Sequence, residues 1–306
     1  MILSADAVCI PLFYNKAGTF RSPGFLFYAA EMQLKENGRW LEDHPQCSKQ
    51  TGGREMDTGN NTCASFFPEK MRILSGSALK LIAVITMLID HIGYFIFENT
   101  SWANEVLFTV YLPGYSRDIS ISVLCFMIGR VAFPIYAFLL VEGFYHTHNR
   151  RRYGADLLLF ALISEPIWNY ALTGTLRFPM QNVFFTLFFG VVGMALVERF
   201  KGKKVLQALA VVVMMFVSFF FKADYGIYGF LFIMAMYFFR QKPALRAIAG
   251  IGCLYIELEE MVSVIFMNMY NGKRGFIKGK AAKYCFYAFY PLHILILTIL
   301  RYKLFY

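Results

Sequence analysis

Leu81-Ile82-Ala83-Val84-Ile85-Thr86-Met87-Leu88-Ile89-Asp90-His91-Ile92-Gly93-Tyr94-Phe95-Ile96-Phe97 is an apolar run broken only by Thr86, Asp90 and His91. A helix of ~20 such residues crosses the hydrocarbon core of a bilayer, so this stretch reads as a membrane span. A carboxylate and an imidazole inside it cost several kcal/mol each unless they find partners or water. Chains rarely carry such groups without using them. The run therefore sets both the fold class and the search for a site.

Working outward, the 306-residue chain is 58% apolar and 18% aromatic, and only 16% of it is charged. Soluble domains carry roughly 25% charged residues. Apolar runs follow one another from residue 79 to the C-terminus, without the ~10-residue strict alternation of a β-barrel. The expected fold is all-α, a polytopic transmembrane helix bundle. Net charge is +10, yet the basic residues lie in short clusters between apolar runs, which is a topology pattern and excludes a nucleic-acid-binding face. Cys9, Cys47, Cys63, Cys125, Cys253 and Cys285 form no CxxC or Cys/His spacing, so neither disulfides nor a metal site is indicated.

Two unequal regions are expected. Residues 1–70 are polar, nearly balanced in charge and without period, and they lack the basic start and short apolar core of a signal peptide. Met71-Arg72-Ile73-Leu74 reads like a natural membrane-protein start, so residues 1–70 are read as a misannotated N-terminal extension or a disordered tail, and 71–306 as the membrane domain. Nine segments are expected to span, at 79–97, 121–144, 155–172, 182–197, 205–221, 225–239, 244–256, 258–270 and 284–302. The seventh and eighth are short, and read as tilted spans, a re-entrant pair or one helix. Basic clusters at 150–152, 199–204, 240–246 and 273–283 alternate with loops poor in Lys and Arg, which places the N-terminus in the cytoplasm of a multi-pass protein of the cell's inner membrane.

With that orientation Asp90, His91, Arg130, Glu165, Asn182 and Asp224 all fall toward the outer half of the membrane, as if around one polar cavity. His91 is the strongest catalytic candidate, because a neutral imidazole takes a proton near pH 7. Asp90 cannot share its helical face, since successive residues point about 100° apart, so it is expected to pair with Arg130 or another helix. His293, in Tyr290-Pro291-Leu292-His293, is the second candidate imidazole. Arg130 with Glu165 or Asp90 also reads as a structural ion pair, and Asn182 as a helix cap. Glu142 and His146 share a helical face near the cytoplasmic end, an interfacial rim that would contact a cytosolic ligand or simply face solvent.

Several stretches resemble the TraX family. Leu79-Lys80-Leu81-Ile82-Ala83 through Met87-Leu88-Ile89-Asp90-His91-Ile92-Gly93 is similar to its opening. Gly129-Arg130-Val131-Ala132-Phe133-Pro134-Ile135-Tyr136, Phe160-Ala161-Leu162-Ile163-Ser164-Glu165-Pro166 and Asn182-Val183-Phe184-Phe185-Thr186-Leu187 fit the same pattern, as do Tyr270-Asn271-Gly272-Lys273-Arg274-Gly275 and Phe289-Tyr290-Pro291-Leu292-His293. The resemblance covers nearly all of 71–306. It implies an integral inner-membrane protein, the founding member acetylating the N-terminus of a conjugative pilin. It further implies acetyl-CoA on the cytoplasmic side and a pilin-like or glycan acceptor on the other.

Two functions follow as expectations. One is a membrane acyltransferase, with His91 as general base or transient acyl carrier, Arg130 stabilising negative charge, Asp90 and Glu165 tuning these groups, and Asn182 donating to the thioester oxygen. Glu142, His146, Asp224 and His293 are the remaining candidate substrate contacts. The other is a proton-coupled transporter in which Asp90, His91, Arg130 and Glu165 form a relay; the lack of an internal repeat tells against it.

Overall fold

The computed structural model describes residues 65–112, 115–177, 180–253 and 258–306. The expectation for residues 1–70 lies outside the described residues as far as residue 64. Beyond it, Ser65 Oγ and Phe66 N both donate to Asn268, tying this strip to the far end of the chain.

Ten helices of seven residues or more run through the described residues: α1 Gly76–Phe95, α2 Ile121–Gly129, α3 Ala132–His146, α4 Arg150–Thr173, α5 Val183–Arg199, α6 Lys204–Phe220, α7 Gly226–Phe238, α8 Pro243–Cys253, α9 Val262–Asn268 and α10 Lys280–Phe305. Between α1 and α2 a small antiparallel hairpin pairs β1 Phe108–Leu112 with β2 Tyr115–Ile119, in the register Phe108↔Ile119. Three stretches are long and apolar enough to cross a membrane: Gly76–Asn99, Ile121–His146 and Lys280–Phe305. The protein is a helical membrane protein. Its outer surface says so as clearly as its length: Val205, Leu209, Val213, Phe216 and Phe220 stand exposed along α6, and Leu292, Ile296 and Ile299 along α10. Apolar rows of this extent facing outward mark a surface that lipid covers.

Three local departures from the hydropathy reading matter. First, the second apolar segment is broken. Arg130 and Val131 part α2 from α3, with Arg130 N still bonded to Phe126 O, so the one strong cation of the segment sits at a helix break. Second, α8 and α9 have 11 and 7 residues. At ~1.5 Å per residue neither reaches across a ~30 Å core. Third, the acidic stretch before α9 is anchored through Glu259 to Arg117 of the hairpin, which ties those two connections together.

The interior is aromatic and closely packed. Phe95, Phe138, Phe144, Phe230 and Phe232 are fully enclosed. Gly190 and Gly193 let α5 approach α7: a side-chain carbon at either would strike Ile233 or Phe230. Small residues at such contacts are how membrane helices approach closely when no hydrophobic force drives them together. At the basic end, Arg240 Nε donates to Glu142 Oε1 at 2.6 Å and its NH2 to Oε2 at 3.1 Å, both side chains buried. Arg150 pairs with Glu198 at 3.3 Å there.

Candidate functional site

The site is built where α1, α4 and α10 meet. His91 on α1 and His293 on α10, 202 residues apart, bond through Nδ1 and Nε2 at 2.6 Å, their rings stacked at 4.8 Å. His293 Nδ1 in turn meets the Phe289 carbonyl at 2.7 Å. Carbonyl oxygen only accepts, so His293 Nδ1 carries hydrogen. With both rings neutral, His293 Nε2 then offers a lone pair, and His91 Nδ1 must donate into it. The chain of two bonds fixes the tautomer of His91 and leaves its Nε2 as the basic nitrogen. Phe95, Trp168 and Tyr290 surround the His91 ring with centroids 6.1–6.3 Å away.

Around this pair the predicted polar residues collect. Tyr290 lies within electrostatic reach of Asp224, Glu165 and Asp90, and its hydroxyl meets the backbone of Val183. Tyr225 stands among Glu260, Arg130, Asp224 and Asp90. It stacks on Phe133 at 3.8 Å and holds a left-handed backbone at φ 59°, which a bulky residue adopts only where the surroundings impose it. Asp90 lies against the bare backbone of Gly129. A side-chain carbon on Gly129 would fall on the Asp90 carboxylate, so the glycine makes room for it beside Arg130.

Glu165 and Asn182 form a bolt between α4 and α5. Asn182 is fully buried, caps α5 through Phe184 N at 3.1 Å, and gives its amide hydrogens to Ala161 O at 2.9 Å and Glu165 Oε2 at 2.6 Å. Its backbone N donates to the same carboxylate oxygen at 3.1 Å. All its donors are engaged, so the cap reading describes Asn182 better than a free thioester donor does. Asp224 shapes the turn before α7: its Oδ1 accepts from Tyr225 N and its carbonyl from Thr186 Oγ1.

His91, His293, Asp90, Arg130, Glu165, Asn182 and Asp224 are thus brought into one neighbourhood. Glu142 and His146 are not. They lie toward the other end of α3, and Glu142 is 12 residues beyond Arg130, roughly 18 Å of helix. The Glu142 carboxylate is held by Arg240, and His146 Nε2 reaches it at 3.7 Å from a largely exposed position. Sequence reasoning missed Trp168, Tyr225, Tyr290 and Glu260, and it missed Arg240 as partner of Glu142. Among the described residues no group of His, Cys, Asp or Glu could hold a metal ion.

The order of these motifs along the chain matches a known pattern. The family model described as TraX protein covers residues 75–301. The chain belongs to the TraX family. A probable fimbrial assembly protein FimC, serogroup H1, from Dichelobacter nodosus is 29% identical over 253 residues, spanning 73% of this chain and 94% of that protein. No solved structure matches. The TraX match begins one residue before α1 and ends at Arg301 in α10, so it contains every residue of the site just described.

Proposed function

We propose that the protein is an integral membrane acyltransferase, moving an acetyl group from acetyl-CoA to an amine or hydroxyl of a membrane-associated acceptor, a pilin-like protein or a glycan. The observation that carries this reading is the Phe289–His293–His91 chain, which supplies one basic nitrogen of fixed tautomer in an aromatic, largely buried setting. His91 Nε2 takes the proton from the acceptor's O–H or N–H as the heteroatom attacks the thioester carbonyl. The C–S bond then breaks, and the proton passes to the departing CoA thiolate. Arg130, at its helix break, is the cation for the developing oxyanion.

The cytoplasmic donor side of this reading uses the basic end. Thr147, His148, Asn149, Arg150 and Arg151 line an open cleft of about 560 Å³, a size in the usual range for small-molecule sites. It opens at the start of α4 with Arg150 and Arg151 at hand, a setting that suits phosphate. The FimC relative is a fimbrial assembly protein by its name, which favours a pilus-related acceptor. We place the N-terminus in the cytoplasm and the chain in the inner membrane as a multi-pass protein. Of the nine segments, α8 and α9 are the pair that enters without crossing.

The test is incubation of the purified protein with radiolabelled acetyl-CoA and a panel of amine and hydroxyl acceptors. Label in an acceptor, lost in His91→Ala, supports the reading. Flux of small acids into proteoliposomes, without any acetyl transfer, would replace it with the transporter.

A further inference from the structure

Lys80 stands one turn inside α1, half-buried, and among the described residues its ammonium has neither a hydrogen bond nor an ion pair. It lies over the Phe286 ring of α10, 6.0 Å from the centroid, and the charges within electrostatic reach of it are those of Arg274 and Lys283. Both are positive. Lys283 Nζ gives one of its three N–H groups to Asp156 Oδ2 at 2.5 Å, and Arg152 faces the same carboxylate. Membrane topology asks only that basic residues stay on one side of the bilayer. It does not account for a cation held among cations one turn inside a span.

The backbone imposes this crowding. Gly76 N donates to Lys273 O at 2.8 Å, Ser77 N and Ser77 Oγ both donate to Arg274 O at 2.9 Å, and Ile277 N donates back to Ser77 Oγ at 2.8 Å. Gly275 closes the loop at φ 88°, and a side-chain carbon there would strike the hydroxyls of Ser75 and Ser77. The loop is thus laced to the first turn of α1, and Arg274 is carried to Lys80 against their repulsion. The same loop projects Phe276, 69% exposed, between Arg274 and Lys278, while Leu81 and Ile85 stand exposed on α1 just past Lys80. These residues sit where two membrane-crossing stretches begin, Gly76–Asn99 and Lys280–Phe305. A bare phenyl ring flanked by cations suits the level at which headgroups give way to acyl chains.

We infer that Lys80, Arg274 and Lys283 bind the headgroup of an anionic phospholipid, whose acyl chains lie against Leu81 and Ile85. A phosphodiester supplies the acceptors that the three cations lack, in charge-assisted bonds. Basic pockets between membrane helices take lipid phosphates in this way. A zwitterionic headgroup brings its own ammonium among the cations and is disfavoured by the same repulsion. A free phosphate shares the anion but offers no hydrocarbon to Leu81, Ile85 and Phe276. The site needs only that the chain lies in a membrane, and it stands without the acyltransferase reading.

The test is native mass spectrometry of the full-length protein, released from neutral maltoside micelles that contain dioleoylphosphatidylglycerol or dioleoylphosphatidylcholine. The phosphatidylglycerol is expected to bind at least tenfold more tightly. Lys80→Gln with Arg274→Gln should weaken it about 25-fold, at roughly fivefold for each lost charge. That pair should leave phosphatidylcholine binding within twofold and thermal unfolding in lipid-free detergent unchanged. Lys80→Arg, which keeps the charge, should hold phosphatidylglycerol within threefold. Lys201→Gln with Lys203→Gln removes as much charge from an exposed connection elsewhere and should change phosphatidylglycerol binding less than twofold. Inorganic phosphate and acetyl-CoA, added as competitors, should leave the lipid in place. Equal binding of the two lipids, an equal loss in the two glutamine pairs, or displacement of the lipid by either competitor overturns the inference.

Discussion

His293 offers the sharpest perturbation, because it contributes no atom to the reaction and acts only through His91. Replacing it with leucine removes both bonds of the chain, the 2.6 Å bond to His91 and the 2.7 Å bond to Phe289 O. At about 1–1.5 kcal/mol net for each buried bond, the orientation lost is about 2–3 kcal/mol. That corresponds to a roughly 30- to 150-fold fall in turnover, a milder effect than the ~10⁴-fold seen when a triad histidine is held in the wrong tautomer. Glutamine is the informative control. Its amide oxygen accepts from His91 Nδ1–H while its N–H₂ donates to Phe289 O, so His293→Gln should keep turnover within about fivefold. The assay is initial rate of acetyl transfer, with ¹⁵N shifts of the His91 ring reporting its tautomer and thermal unfolding in detergent reporting the fold. A folded His293→Leu within threefold of wild type, or a glutamine variant as poor as leucine, refutes the relay.

Other outcomes follow from the same geometry. Glu142→Ala should destabilise the protein by about 3–5 kcal/mol by stranding the Arg240 guanidinium in a buried position, whereas Glu142→Leu with Arg240→Leu should come within about 2 kcal/mol of wild type in denaturant unfolding. Gly129→Ala should push the Asp90 carboxylate off its seat, costing about 1–3 kcal/mol in thermal unfolding and lowering turnover in parallel. Asn182→Ala loses a cap and two buried amide bonds, for about 2–3 kcal/mol, and should show earliest as hydrogen exchange in the first turn of α5. Arg151→Ser, in the cleft at the start of α4, should raise KM for acetyl-CoA roughly tenfold and leave KM for the acceptor unchanged.

Much of the site was legible because burying an ionisable group is expensive. Asp90, His91, Arg130, Glu165 and Asp224 stand out in apolar surroundings by that cost alone, and they do converge. The same logic gave Glu142 no partner, reading it as part of an interfacial rim. It too is a buried carboxylate, but its partner Arg240 is 98 residues away, and no helical spacing announces a pair made through the fold. Trp168 and Tyr290 were invisible for the opposite reason. In a chain with 33 Phe and 19 Tyr, one more aromatic on an apolar helix carries no signal until its neighbours are known. The break at Arg130 was hidden as well. Hydropathy averages over a window and reports an apolar stretch, not whether its backbone turns aside at one residue. The shortness of α8 and α9, by contrast, was already visible in the seventh and eighth segments.

The pairing of His91 with His293 joins the first long helix to the last. A ribosome adding about 5–20 residues per second needs roughly 10–40 s to cover the 202 residues between them. Until α10 inserts, His91 has no neighbour to choose its tautomer, and the nascent chain holds its base without holding it in working order. On the proposed reading, the working base is assembled only when α10 has joined α1. A product truncated before Phe289 would keep α1 to α9 and lose both bonds that set the His91 ring.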